Sequence, residues 1–246
     1  MNKKVRVLGV IPARGGSKGV PKKNIRDLYG RPLISYMIDA AKRSTLIDKV
    51  ICSTDSEEIA DAAKRCGADI PFVRPPEYAN DTISVTAVSK HAMEFFDAKN
   101  IRYDAVISLQ ATSPLTLACD IDACIEKMIA AGCDSVVSMK FLEEVHPWRI
   151  YDMKGDRVLP FNEHTNENFP QRQDRPPAYK MSGAIFLRKR RLLESWNGVD
   201  FALGTDLRGV MVPPERSVDI NCPVDFVVAE TFLRQREGSG IIKEPV

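Results

Sequence analysis

Between residues 12 and 24 the chain reads Pro12-Ala13-Arg14-Gly15-Gly16-Ser17-Lys18-Gly19-Val20-Pro21-Lys22-Lys23-Asn24. Three glycines within five positions remove the Cβ atoms that would hold a backbone away from a ligand. Arg14, Lys18, Lys22 and Lys23 thread four cations through the same loop. Peptide N–H groups around Gly15, Gly16 and Ser17, together with fixed positive charge, suit a chain of phosphates. The pattern is not a P-loop, because Gly19 is followed by Val20-Pro21 rather than Lys-Ser or Lys-Thr, and the GxGxxG spacing is absent. A basic surface turn is the bland alternative. The loop follows an apolar run, Val5 to Ile11, and the carboxyl end of a first strand is the favoured ligand position of α/β sheets. It reads as a nucleoside triphosphate site.

Three more groups of residues have chemistry to offer. Gln110, within Leu109-Gln110-Ala111-Thr112-Ser113-Pro114, carries an amide that can read hydroxyl or carbonyl groups on a polyol. Thr112 and Ser113 suit backbone capping in a turn equally well. In Ser217-Val218-Asp219-Ile220-Asn221, alternation places Asp219 and Asn221 on one face. Oxygen ligands two apart beside a triphosphate suit Mg²⁺, while a strand end before a helix also carries Asp or Asn as a cap. The third group is Arg172, Tyr179 and Lys180, where a guanidinium could clamp a carboxylate and an ammonium act as a point charge. A solvated charged arm accounts for that segment as well.

The elements that must position these residues alternate in type. Strands are expected at 5–11, 49–54, 104–109, 134–139 and 183–187. Between them fall helices with Leu33, Ile34, Met37, Ile38 and Ala41 on one face, and another capped by Ser56 and stopped at Gly67. A further helix is expected to start at Asp81 or Thr82, others at 121–131 and at 223–234, and the tail from Gly238 to fray. Strand–helix alternation predicts an α/β fold, a mostly parallel sheet with helices on both faces. Between 140 and 181 the periodicity fades and prolines punctuate a polar stretch that still holds Trp148, Phe161, Phe169 and Tyr179. So long a connection without regular structure implies a function, and it reads as an arm that projects onto a partner subunit.

Composition excludes several classes. Lys plus Arg total 35 against 33 Asp plus Glu, a net charge of +2 with no polybasic block, so a non-specific nucleic-acid binder is not expected. The six cysteines form no CxxC pair and the three histidines lack metal-ligand spacing, which argues against zinc. The seven-residue apolar run after Lys4 is too short for a signal peptide and no 18-residue apolar span occurs, so the expected location is cytoplasmic, away from membranes.

Taken together these segments resemble the acylneuraminate cytidylyltransferases, the CMP-sialic acid synthetases. The resemblance runs from Val7 to Glu230. It is carried by Pro12 to Asn24, Ser53-Thr54-Asp55, Arg74-Pro75, Leu109 to Pro114, Arg172-Gln173 with Gly183-Ala184-Ile185, and Asp219 to Glu230. It implies one Rossmann-like nucleotidyltransferase domain over 1–246, a homodimer formed through the 140–181 arm, and a neighbour's sugar pocket completed by that arm. The implied reaction joins CTP to a nine-carbon 2-keto sugar acid with Mg²⁺, giving the CMP-sugar and pyrophosphate. By position, Arg14, Lys18 and Lys23 match triphosphate-binding cations, and Gly15, Gly16, Ser17, Asn24, Arg74 and Ser84 fall near the nucleotide. Gln110 matches a sugar contact, while Arg172, Tyr179 and Lys180 fall in the segment lent across the dimer. Asp219 matches the first metal-binding aspartate, but Asn221 stands where the family has a second. The sugar could be a sialic, legionaminic or pseudaminic acid or the deaminated relative. Enzymes for the eight-carbon sugar Kdo tend to carry an acidic residue where this chain has Ala111-Thr112-Ser113. A protein that binds without turnover, disabled at Asn221, is the remaining alternative, and the intact cations Arg14, Lys18 and Lys23 argue against it.

Overall fold

The computed structural model describes residues 4–16, 19–142, 145–161, 171 and 174–238. In chain order its strands are β1 (Val7–Pro12), β2 (Asp27–Leu28), β3 (Arg31–Pro32), β4 (Lys49–Ser53), β5 (Ala105–Leu109), β6 (Ser135–Phe141), β7 (Tyr151–Lys154), β8 (Arg157–Pro160), β9 (Tyr179–Lys189) and β10 (Leu207–Met211). The helices are α1 (Leu33–Arg43), α2 (Glu57–Arg65), α3 (Val85–Asp97), α4 (Ala118–Ala131), α5 (Arg190–Glu194) and α6 (Pro223–Gly238).

Six strands form one sheet in the order β10-β6-β9-β5-β1-β4. β1 pairs in parallel with β4 and β5, and β10 with β6, whereas β9 runs antiparallel to both of its neighbours. The mostly parallel sheet is therefore as expected, with one strand reversed. Alternation along β1 explains the layers. Val7 and Ile11 face a core built with α1, α2 and α4, whereas Leu8 and Val10 face α3 and α5. Chain order gives the sheet a switch point between β1 and β5, since β4 follows β1 on one side and β5 lies on the other.

Local signals explain most boundaries. Ser56 caps α2, its hydroxyl accepting from Ile59 N at 3.4 Å, and Gly67 follows the helix at φ +80°. The expected start of α3 at Asp81 or Thr82 is overturned. Ser84 is the cap, accepting from Ala87 N at 3.2 Å, while Asn80 Oδ1 accepts from the amide and hydroxyl of Thr82 at 3.0 and 2.7 Å and holds a turn there.

The described residues of the 140–181 segment are more regular than the sequence suggests. β6 extends to Phe141, β9 begins at Tyr179, and β7 and β8 form an antiparallel hairpin with Tyr151, Met153 and Val158 exposed. Residues 217–221, in contrast, form no strand. Their alternation survives, because Ile220 N donates to Thr112 O at 2.8 Å and buries Ile220 among Val20, Phe226 and Leu233, leaving Asn221 exposed.

Candidate active site

A cavity of about 400 Å³ opens at the carboxyl end of the sheet beside the switch point. Arg14 enters it from the loop after β1, Arg74 from beyond β4, Gln110 from the end of β5 and Asn221 from the segment after β10. Lys23 and Asn24, which form a short 3-10 turn, complete the wall.

Each of these groups is held in place. Arg74 is almost wholly buried, donating from Nε to Ser53 Oγ at 3.1 Å and from Nη2 to Ser53 O. Burial pushes its pKa down and Asp55 opposes the shift. Asn24 Nδ2 donates to Arg14 O at 3.0 Å, tying the two ends of the glycine loop together. Lys23 Nζ donates to Ile220 O at 2.8 Å. Burial lowers the Lys23 pKa, Asp219 pulls it back up, and the like charge of Arg14 lowers it further. Gln110 Nε2 is buried with no hydrogen-bond partner among the described residues. An amide donor left orphaned in a cavity wall is costly, and an acceptor on a ligand would relieve it.

The glycines contribute unequally. A Cβ on Gly19 would sit 2.5 Å from the carbonyl oxygen of Asn221, so only glycine lets the two loops touch. Gly15 N donates to Asp55 Oδ1 at 2.9 Å, and a Cβ on Gly16 would meet open space. Ser84 Oγ is engaged as the α3 cap, beside the wall residues Ile83 and Val85. Tyr179 and Lys180 open β9 and lie outside the cavity wall, with Lys180 opposite Lys140 in the ladder. Asp219 Oδ2 accepts from Asn221 Nδ2 at 2.9 Å. Ser17, Lys18 and Arg172 lie outside the described residues.

Residues 8–197 match the family described as Cytidylyltransferase. The chain is 34% identical to a pseudaminic acid cytidylyltransferase of Campylobacter jejuni, over 92% of its own length and 96% of that protein's. It is 33% identical to the CMP-N,N'-diacetyllegionaminic acid synthase of Legionella pneumophila, covering 93% and 97% of the two chains. The chain belongs to the cytidylyltransferase family. Its fold is that of the CMP:2-keto-3-deoxy-manno-octonic acid synthetase solved with CTP, at TM-score 0.72 and 19% identity over 94% of this chain and 99% of the other.

In this cytidylyltransferase several site residues carry signals that sequence reading passed over. Asp81, at the expected start of α3, pairs with Arg14, and it lines the cavity together with Tyr78 and Asn80 just before it. Asp225 Oδ2 accepts from Asn221 N and Cys222 N at 2.7 and 2.8 Å and so shapes the segment carrying Asp219. Its signal was legible, an acid at the third helical position behind Pro223 at the first. Lys140 Nζ donates to Ser217 O at 2.9 Å, and nothing local in the sequence marks it, because strand pairing brings it there. Lys22 turns away and pairs with Glu58 on α2. Among the described residues no helix is long and apolar enough to cross a membrane.

Proposed function

We propose that this chain transfers CMP from CTP to the anomeric hydroxyl of a nine-carbon 2-keto sugar acid of the sialic, legionaminic or pseudaminic kind. The observation that carries the reading is the convergence of Arg14, Lys23 and Arg74 with the unpaired amide of Gln110 on one cavity at the switch point. The names of the Campylobacter and Legionella relatives support the sugar class.

The hydroxyl oxygen forms a bond to the α-phosphorus and gives its proton to solvent water. The bond from that phosphorus to the bridging oxygen breaks, and pyrophosphate leaves with the electron pair. Charge spreads over phosphoryl oxygens, so cations already fixed in position lower the barrier without reorganising. Lys23 and Arg14 supply that charge, and Gln110 donates toward the sugar. Asp219, with the Asn221 side chain two residues on, offers the small oxygen set that Mg²⁺ accepts when phosphates and water complete its shell. The ion would add positive charge against the triphosphate. The exposed apolar residues Tyr151, Met153 and Val158 support an arm that packs on a second copy, with Tyr179 and Lys180 at its base.

The test is pyrophosphate release with CTP and Mg²⁺ against N-acetylneuraminate, its deaminated relative, legionaminate, pseudaminate and Kdo. Turnover of one nine-carbon acid at least about tenfold above Kdo is expected, the scale of discrimination that a few pocket contacts provide. Turnover of Kdo alone, or of none, overturns the reading.

A further inference from the structure

A second cavity, of about 380 Å³, is walled by the later part of the loop that carries Gln110, by the turn before Ser217, and by α1 and α6. Its wall holds two polar atoms that the protein leaves unpaired. Thr116 is 4% exposed, and its Oγ1 is buried without a hydrogen-bond partner among the described residues. Arg216 Nε is likewise buried and unpartnered, while Nη2 of the same guanidinium donates to Asp120 Oδ1 at 2.9 Å. A hydroxyl and an N–H that both lack an acceptor call for an oxygen-rich group.

Arg236 lies beside them, its Nη2 donating to Leu115 O at 2.7 Å. Burial lowers its pKa and the nearby positive charge of Arg216 lowers it further, while Asp120 and Glu215 oppose the shift. Two neighbouring guanidiniums in a sheltered cavity are relieved by an anion, and the planar fork of arginine matches phosphate. Elsewhere in the wall, Tyr29 and Tyr36 supply ring surface and Asp39, Glu215 and Glu237 supply carboxylates. Tyr36 donates its hydroxyl to Leu28 O at 2.7 Å and has the Arg31 guanidinium 5.1 Å from its ring centroid, while Tyr29 donates its hydroxyl to Glu237. Ring surface, a carboxylate able to accept from hydroxyls, and an anion cradle are the three recognition elements of a nucleotide.

We propose that this cavity is a second ligand site, for a nucleoside 5′-monophosphate, with its phosphate on Thr116, Arg216 and Arg236 and its base against Tyr29 and Tyr36. An occupant would touch both loops that wall the first cavity, which are joined by the bond from Ile220 N to Thr112 O. The assignment stands on binding and does not require turnover.

Calorimetric titration of the full chain with CMP tests it. Two binding phases are expected. Thr116→Val and Arg236→Gln should each weaken one phase about tenfold and spare the other, as loss of a hydrogen bond to a charged group does. Lys23→Met should affect the other phase. Cytidine, lacking the phosphate, should bind the second site at least about tenfold more weakly than CMP. Thermal melting establishes that each variant folds, and if one does not, the CMP and cytidine titrations of the native chain decide. A single CMP phase, two phases that neither variant moves, or cytidine binding as tightly as CMP would each overturn the site.

Discussion

Lys23→Met separates charge from structure in the first cavity. The native ammonium makes a 2.8 Å bond to Ile220 O and lies between Asp219 and Arg14 in the local field. Methionine keeps most of the stem, so the structural loss is one hydrogen bond to a carbonyl. That costs about 0.5–1.5 kcal/mol and lowers Tm by about 1–6 °C in a chain of this size. The catalytic loss should be larger. Removing one preorganised group that faces developing charge costs about 2.7–4 kcal/mol, or about 10²–10³ in kcat. Pyrophosphate release under saturating CTP measures the second effect and thermal melting the first. Lys23→Arg retains the charge and should recover part of the rate. It should also abolish an alkaline fall in native kcat. Burial holds Lys23 below the ordinary 10.5, so its charge is lost at lower pH than in a free lysine. The same shift sets a sign for stability. The unfolded chain holds more protons between the two pKa values, so the cost of burying Lys23 shrinks as pH rises through that window. A well-folded Lys23→Met variant with kcat/KM within about threefold of native would remove Lys23 from the mechanism, since that corresponds to under about 0.7 kcal/mol.

Other expectations are independent of that one. Gly19→Ala should cost about 1–3 kcal/mol, because the added methyl meets the backbone oxygen of Asn221 at 2.5 Å and one loop must shift; an unchanged Tm would show that the contact yields freely. Asp225→Ala should cost about 1 kcal/mol by denaturant titration at neutral pH. Burial pushes the Asp225 pKa up, but the N–H groups of Asn221 and Cys222 outweigh it and hold the carboxyl below 3.8. Its contribution is therefore present above 3.8 and lost as pH falls through the folded value, so native and variant midpoints should converge in acid. Met153→Asp, on the exposed hairpin, should turn a dimer into a monomer by light scattering, and a native chain that is already monomeric would sink the arm assignment.

Much of this architecture was legible because local chemistry and global fold agree. Val7 to Ile11 alternate between two helix layers, Ser56 and Gly67 bracket α2, and the Gln110 loop ends a fully buried strand. The failures share a cause. Asn80 to Ser84 carry two capping residues, and the second capped the helix while the first closed a turn that aims Asp81 at Arg14. Lys140 enters the neighbourhood of Asp219 because β6 pairs with β10, the strand that leads into residues 217–221, a choice made by long-range pairing that no window of sequence reports.

Asn221 is where these threads meet, and it yields the last expectation. Its amide donates to Asp219 Oδ2 at 2.9 Å, a bond that an aspartate could not make. With Asp at 221, two carboxylates would face each other at that distance, and the ion-free segment would be strained by like-charge repulsion. Asparagine therefore stabilises the segment without a cation, and with one negative charge fewer than aspartate it should hold a cation less tightly. Asn221→Asp should melt about 2–4 °C lower than the native chain in EDTA, for a loss of about 1 kcal/mol at this exposed position. Mg²⁺ with CTP should reverse the order, because a ligand bound to the folded state adds about 2.7 kcal/mol at a hundred times its Kd. The half-saturating Mg²⁺ concentration for pyrophosphate release should fall in parallel. Equal responses of the two chains to Mg²⁺, in both melting and rate, would mean that position 221 does not sense the metal and that Asp219 meets it without help from its neighbour.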